Sequence, residues 1–217
     1  MELLLITPPT TEPVTLTEAK NHLRLDLVAT GEDAEINSLI QAAREYCEDY
    51  QNRAYITQTW DLMLDGWPRN NARYDSRTNA RENPIKIPLP PLQSVTSITY
   101  TTSEGVTKTM PSTDYIVAPG AYGSRIALAN GKSWPSEALQ TVQGIKVRFV
   151  AGYPTKTGTP NDPAGNVPQK VKRAMLMLIG HWYENRETVT VGSAIGVSKE
   201  IELATHRILK QDRVVPI

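Results

Sequence analysis

The periodicity of apolar residues changes twice along this chain, and this change constrains the fold more than any other feature. Residues 36–50 carry apolar side chains every three or four positions, which predicts one face of an α-helix. The period then becomes two, since Ile56, Trp60 and Leu62 alternate with polar residues as in a half-buried β-strand. Helical spacing returns after Pro168. The sequence therefore predicts an α+β protein with helical ends and a β-rich middle.

Two helices are predicted at the amino-terminal end. Thr15 and Glu18 have the spacing of a capping box, so a short helix should start directly after Thr15. A second helix opens with acidic residues from Glu32 onward, which suit a helix amino terminus, and ends near Tyr50. Before these helices, residues 1–9 form a short apolar patch. This patch fits either an edge strand or an arm that docks on a neighbour.

Six or so short strands with turn signals between them are predicted for the middle of the chain. They suggest a small antiparallel sheet, a sandwich or a partial barrel. Residues 154–167 form the clearest linker, because they are rich in Pro, Gly, Thr and Asn. Pro168 suits the first position of the helix that follows, and Ser198 can cap a final helix.

The helices of the two ends can complete one bundle only if the β-rich segment is inserted between its halves. We favour this arrangement because two helices alone bury little apolar surface. The predicted fold is a helical bundle, formed by the N- and C-terminal helix pairs, with an inserted antiparallel β domain. The predicted boundaries are 1–54 for the N-terminal helical half, 55–153 for the β domain, 154–167 for the linker, and 168–217 for the C-terminal helical half and tail.

Composition narrows the class of protein. The 217 residues include 23 basic and 23 acidic side chains, so a surface built throughout to hold DNA is not expected, although a local basic patch is compatible with this balance. No apolar run approaches the roughly 20 residues that a membrane span needs. The single cysteine, Cys47, cannot form an internal disulfide, which favours a reducing compartment. We expect a soluble protein made in the cytoplasm.

The sequence contains no recognisable catalytic motif. His22, His181 and His206 are far apart, and neither H-E-x-x-H nor H-x-x-E-H occurs. The nucleophile pattern G-x-S-x-G and the phosphate-binding pattern G-x-x-x-x-G-K-[ST] are also missing. We therefore predict no catalytic residue, no metal site and no cofactor, and the protein is not expected to be an enzyme.

Two groups of basic residues are candidates for partner binding. One group recurs at intervals of four inside a polar loop and comprises Arg69, Arg73, Arg77 and Arg81. It fits either a solvated, mobile loop or a flexible basic arm that meets an acidic partner or passing DNA. The other group, Lys170, Lys172 and Arg173, lies in the first turn of a helix, where the helix dipole disfavours cations. Such placement hints at a partner.

Trp67 is a further candidate contact, since it follows the first predicted strand and precedes Pro68. Large aromatic side chains either fill a core or anchor an interface. The interface interpretation is preferred for Trp67, and the core interpretation for Trp182, which lies on an apolar helical stripe.

The chain resembles the head–tail connector (adaptor) proteins of long-tailed bacteriophages, in the group with gp6-like and gp8-like connectors. The resemblance rests first on the opening PVTLTEAK at residues 13–20, LRLD at 23–26 and the helix over 36–53. The β-rich segment is similar to the larger gp8-like members, in Trp60, in IPLPPL at 87–92, in the strand at 95–100 and in VRFVAGY at 147–153. The helix over 168–187 is the last match.

The resemblance implies a structural virion protein at the head–tail junction, made in the host bacterial cytoplasm. Copies of the chain would assemble as a ring, expected to be a dodecamer, beneath the portal protein. The ring would extend the DNA channel and join the capsid to the next connector, stopper or tail protein, while DNA passes without sequence-specific contact. No membrane partner is implied. The alternative is a generic, non-catalytic protein-binding module.

The resemblance also suggests a role for the end of the chain. Residues 198–217, which hold the final helix and tail, are expected to dock on the portal protein. The candidate contacts of the tail are Arg213, Val214, Val215 and Ile217.

Overall fold

The chain folds into two compact units. The computed structural model describes residues 1–68, 84–155, 164, 166–185 and 203–215. Met1–Pro8 and Thr57–Gly152 form one unit, here called the β unit. Pro9–Ile56 and Tyr153–Ile217 form the other, here called the helical unit. The polypeptide therefore passes from one unit to the other three times.

The helical unit draws its helices from both ends of the chain. They are α1 (Leu16–Leu23), α2 (Asp33–Gln51), α3 (Gln169–Glu184) and α4 (residues 203–210). The predicted capping box is confirmed, because the Glu18 amide donates to Thr15 Oγ1 at 3.1 Å and the Thr15 amide donates to Glu18 Oε2 at 2.7 Å. Asn52 ends α2 in the left-handed conformation, with φ of 52°, which asparagine tolerates better than most residues.

One apolar core joins these helices. Ile36 and Ile40 of α2 pack in the same cluster as Met175 and Leu178 of α3, and Leu209 of α4 is buried with them. The two segments of the helical unit, Pro9–Ile56 and Tyr153–Ile217, also contact each other directly, since the Tyr153 amide donates to the Tyr55 carbonyl oxygen at 3.0 Å. The helices of both ends thus share one core, and the predicted α+β class is confirmed.

The β unit contains two antiparallel sheets. The larger has the strand order β1-β2-β8-β4-β5, and the smaller has the order β3-β7-β6. The strands are β1 (Glu2–Thr7), β2 (Gln58–Leu64), β3 (Ile85–Ile87), β4 (Leu92–Thr101), β5 (Thr107–Thr109), β6 (Tyr115–Ala118), β7 (Ser124–Leu128) and β8 (Ile145–Ala151).

A row of aliphatic side chains forms the centre of the larger sheet. Leu62 of β2 pairs with Val147 of β8, which pairs in turn with Ile98 of β4, and all three side chains are fully buried. Phe149 extends this buried face beside Trp60. The period of two in the sequence therefore places Leu62 on the buried face of β2, although Asp61, on the opposite face, is buried as well.

The first eight residues require a correction. The sequence-based boundaries assign residues 1–54 to the helical half, whereas Met1–Pro8 belong to the β unit. The reason is that β1 pairs antiparallel with β2, with Leu3 opposite Leu62. Of the two interpretations of the apolar amino terminus, the structure shows the edge strand.

Smaller differences concern α3 and its surroundings. Pro168 is the N-cap residue of α3 rather than its first helical position, and α3 ends at Glu184. Ser198 and most of the predicted linker over 154–167 lie outside the described residues.

Candidate protein-interaction surfaces

The carboxy-terminal segment, residues 203–215, is fastened to the end of α2. The Val214 amide donates to the Gln51 carbonyl oxygen at 2.9 Å, and Asn52 Nδ2 donates to the Val214 carbonyl oxygen at 2.8 Å. Gln51 Nε2 donates to the Leu209 carbonyl oxygen at 2.6 Å. These bonds satisfy backbone groups in the last turn of α4 and beyond it, so the segment has a defined position on its own chain.

Charged and aromatic contacts extend this attachment. Arg53 Nε donates to the Asp212 carbonyl oxygen at 2.6 Å, and the Asp212 carboxylate pairs with Lys170 Nζ at 2.5 Å. The Arg213 guanidinium lies over the Tyr50 ring, 5.0 Å from its centroid. Arg213 and Val214, both predicted to contact a partner, thus have contacts within the chain.

The other two predicted contacts of the tail are Val215 and Ile217. Val215 is 71% exposed and leaves an apolar side chain in solvent. Ile217 lies outside the described residues.

An aromatic cluster lies beneath the carboxy-terminal segment. The His206 ring stacks on Tyr50 at 4.3 Å between centroids, and its Nε2 is 2.7 Å from the Tyr46 hydroxyl. Trp182 of α3 meets Tyr46 edge-on at 6.0 Å. Trp182 packs against the core of the helical unit, as predicted. His206 therefore acts in packing, a role that its isolated position in the sequence does not reveal.

The basic residues at the start of α3 have different surroundings. Lys170 pairs with Asp212 at 2.5 Å, and Lys172 Nζ lies 3.8 Å from Glu18 Oε1. No acidic residue lies in the first turn of α3 itself, so carboxylates from other segments offset the unfavourable dipole. Arg173 is exposed.

The pKa of His22 is lowered, first by burial and then by the charge of Arg173, whereas the charge of Glu184 acts in the opposite direction.

In the β unit, Trp67 packs against other aromatic side chains. Its ring stacks on Trp134 at 4.9 Å and meets Tyr100 edge-on at 5.7 Å. The side chain is half-buried, so it contributes to packing within the unit and also keeps some accessible surface. The four arginines of the polar loop, Arg69, Arg73, Arg77 and Arg81, lie outside the described residues.

A cleft of about 640 Å³ opens beside the capping box, and nothing in the sequence points to it. Glu12, Glu18 and Lys172 line it together with Asn37, and Ile40 contributes apolar surface. Its walls come from the segment before α1, from α1, α2 and α3, so only the tertiary structure assembles it. Such a mixture of charge and apolar surface suits a contact with a protein side chain.

A second surface that the sequence indicates only weakly is the outer edge of β1. Leu4, Leu5 and Ile6 are 50%, 41% and 38% exposed, and Met1 is exposed beside them. β1 pairs with β2 on one side, and no strand of the described part of the chain pairs with its other side. This apolar edge is defined here as residues 1–6.

Three features of the described residues bear on chemistry and on membrane insertion. Among them, no group of three or more His, Cys, Asp or Glu side chains is placed to hold a metal ion. Burial raises the pKa of Cys47 to about 12, which keeps this thiol protonated near neutral pH. No helix within the described ranges is both long and apolar enough to span a bilayer.

Solved structures of gene transfer agent (GTA) particles contain chains with the same fold. One lies in the neck of the empty GTA particle computed with C6 symmetry, with a TM-score of 0.74 and 20% identity. A second lies in the virion of the native GTA particle, with a TM-score of 0.73 and 20% identity. A third lies in the neck of the native particle computed with C12 symmetry, with a TM-score of 0.71 and 18% identity. Each match covers 100% of this chain and 97% of the other.

Sequence comparison gives one family. No curated protein matches the chain significantly. The sequence model described as phage gp6-like head-tail connector protein matches residues 13–115, which run from the capping box of α1 into the β unit. Over these residues the chain is similar to the phage gp6-like head-tail connector proteins, the family that its sequence resembles.

Proposed function

We propose that the chain forms a closed ring beneath the portal protein, extends the DNA channel and joins the capsid to the tail. The observation that carries this proposal is the family match, together with a fold shared over the whole chain with neck proteins of GTA particles. A neck computed with C12 symmetry supports twelve as the expected number of copies. In such a ring each subunit meets its neighbours through two different surfaces.

We assign the portal contact to the carboxy-terminal segment. Thr205 and Leu209 of α4 are fully buried against the helical unit, whereas Leu203, Arg207 and Lys210 are exposed. The segment is thus held by one face and presents another, on which a partner protein can pack. Val215 adds an exposed apolar side chain beyond the helix.

The proposed contacts with the tail side and with DNA are not assigned to particular residues. The next connector, stopper or tail protein binds the side of the ring away from the portal, and DNA passes through the opening without sequence-specific contact. The zero net charge of the chain agrees with a conduit that does not hold DNA tightly.

The ring is tested by mixing the purified chain with its cognate portal protein and imaging the mixture by electron microscopy. Rings stacked coaxially on the portal, with a countable symmetry, are the expected result. A chain that stays monomeric and does not bind the portal would contradict the connector proposal and favour a generic, non-catalytic protein-binding module.

The portal contact needs its own variants. Deletion of residues 213–217 should weaken portal binding, but it also removes the Val214 hydrogen bonds to Gln51 and Asn52. Arg207→Glu changes the exposed face of α4 without removing those bonds and should weaken binding as well. Ser38→Glu, on the exposed face of α2, is the matched control and should bind as the wild type does. Full portal binding by both test variants would refute this assignment.

A further inference from the structure

We propose that the outer face of the smaller sheet contacts the phosphate backbone of duplex DNA through Lys86 and Arg125. The inference rests on the proposed function, because it assigns the DNA contact of the proposed channel to named residues. The outer face is defined here as the side chains that alternate with the buried ones along the three strands. They are Lys86 of β3, Arg125 and Ala127 of β7, and Ile116 and Ala118 of β6.

The two cations of the outer face are direct neighbours across a strand pair. Lys86 lies opposite Arg125 in the antiparallel register of β3 and β7, and both residues are exposed. Side chains that face each other in this way have Cβ atoms about 5 Å apart. On its other side, Arg125 lies opposite the small side chain of Ala118. The opposite face of the same sheet is apolar, since Ile85 and Ile126 are buried there.

This arrangement is unfavourable within the chain itself. Like charges that lie directly opposite each other destabilise a sheet. Within the described ranges, no carboxylate forms an ion pair with either cation. By contrast, Lys108, Lys132 and Arg148 of the β unit are each paired with a carboxylate, at 2.6, 2.7 and 2.7 Å. Since proteins break such local rules mainly at functional sites, we infer an external anion for this pair.

The spacing of the cations suits a phosphate backbone. Each strand of duplex DNA carries one negative charge per roughly 3.4 Å of helix axis, so two adjacent cations can contact neighbouring phosphates together. Arginine and lysine are the side chains that commonly make such contacts. The small side chains of Ala118 and Ala127 beside Arg125 leave space for a polymer backbone to approach. Contacts to phosphates carry no sequence information, which agrees with DNA that passes without sequence-specific contact.

The rest of the outer face argues against an acidic protein as the partner. Protein–protein interfaces surround an apolar and aromatic centre with a polar rim. Ile116 is the one large apolar side chain of the outer face, and the face contains no aromatic residue. The charge of this surface is thus its main means of recognition, and DNA is the polyanion that the proposed channel contains.

Neutralisation of both cations tests the contact. Lys86→Gln/Arg125→Gln removes two phosphate contacts, so its affinity for a short duplex DNA of mixed sequence should fall at least about tenfold at about 50 mM salt. The slope of log affinity against log salt concentration should become shallower by about 2. Titration of the isotope-labelled full chain with this DNA, followed by NMR, measures both quantities, even where binding is weak.

The matched control is Lys108→Gln/Lys132→Gln. It makes the same change in net charge within the same unit, at two exposed lysines that already have the carboxylate partners Glu137 and Asp114. Its DNA affinity should stay within about twofold of the wild-type value. An equal loss of affinity in both double variants would show that only the overall charge matters, and it would overturn the proposal.

Two further measurements separate DNA binding from a structural role. The opposed cations repel each other, so Lys86→Gln/Arg125→Gln should melt at the same temperature as the wild type or higher. A lower melting temperature with unchanged DNA affinity would assign both side chains to stability and overturn the proposal. In the NMR titration, the amide signals of β3 and β7 should shift. Shifts confined to other elements would also overturn it.

The remaining outcomes concern the partner and the ring. A polyglutamate peptide that binds as tightly as DNA, and that loses affinity in the same variant, would favour an acidic protein and overturn the DNA assignment. If rings form on the portal but the wild type does not bind DNA, this assignment is wrong and the ring proposal stands. If the wild type binds DNA at the outer face but neither assembles nor binds the portal, the ring proposal is wrong and the phosphate contact stands.

Discussion

At the scale of single residues, Arg44 shows how a buried charge organises the helical unit. Its side chain is 7% exposed, and its guanidinium contacts Glu12 at 2.8 Å and Glu48 at 2.7 Å. Glu48 also accepts a hydrogen bond from the Tyr55 amide at 2.7 Å. Burial opposes the charge of Arg44, but its hydrogen bonds to Glu12 and Glu48 raise its pKa. One side chain thus links the segment before α1 to the end of α2.

Removal of Arg44 should therefore be costly. Arg44→Ala removes a buried guanidinium together with its ion pairs to Glu12 and Glu48, and we expect a loss of about 3 kcal/mol in the free energy of unfolding. Urea denaturation followed by circular dichroism measures this loss. Arg207→Ala removes an exposed arginine and should change the stability by less than about 0.5 kcal/mol. Equal effects of the two substitutions would contradict the role assigned to Arg44.

His22 should make the stability depend on pH. Its pKa lies below the ordinary value of 6.5, mainly because of burial and then because of Arg173, so the fold favours the neutral imidazole. Its contribution to stability is complete above pH 6.5 and is lost as the pH falls below that value. The melting temperature of the wild type should decrease more than that of His22→Gln between about pH 7.5 and about pH 5.5. Parallel pH profiles would show that His22 plays no part.

At the scale of elements, local patterns predict those helices and strands whose stabilising contacts are close in sequence. The apolar stripe of α2 and the capping box of α1 agree with their sequence signals. The partner of β1 was not predictable, since it lies more than 50 residues away and the pattern of β1 also fits an arm. Periodicity identifies a face, but it does not identify what covers that face.

The candidate contacts show the same division. Helix-dipole arguments identify Lys170 and Lys172 as unusual, yet their carboxylate partners, Asp212 and Glu18, come from distant segments. The attachment of the carboxy-terminal segment likewise depends on Gln51 and Asn52, which have no distinctive sequence pattern. Such contacts are set by tertiary packing and not by local propensity.

Asn52 should control how firmly the carboxy-terminal segment is attached. Asn52→Gly keeps the left-handed conformation but loses the hydrogen bond to Val214, whereas Asn52→Ala loses the bond and adds backbone strain. We expect the free energy of unfolding to fall by about 1 kcal/mol in Asn52→Gly and by more in Asn52→Ala. Hydrogen exchange of the Val214 amide, which is bonded to Gln51, should be faster in both variants. An unchanged exchange rate of the Val214 amide would mean that the hydrogen bond from Asn52 to Val214 is not needed to hold the segment.

At the scale of the whole molecule, the units are interleaved in sequence but each has its own core. Residues 55 and 153 of the helical unit are hydrogen-bonded, so a short Gly-Ser linker from Ile56 to Tyr153 can replace the β unit. In the β unit, Thr7 pairs with Thr59, so Pro8 can be joined to Thr57 by a loop of about four residues.

Both shortened proteins should fold. We expect a cooperative thermal transition in each, with helical circular dichroism for one and a β spectrum for the other, because each keeps its buried core. The full-length chain is the reference. A shortened protein without a cooperative transition would show that its unit depends on the other.

The interleaving also determines the order in which the protein can fold during synthesis. The β unit is complete once β8, which ends at Ala151, has left the ribosome, although its first strand emerged before any helix. The helical unit must wait for α3 and for Leu209 of α4, so α1 and α2 remain without most of their core until those helices have been made. The nascent chain therefore carries the apolar face of α2 while the whole segment Thr57–Gly152 is made, and this face is where a chaperone would act.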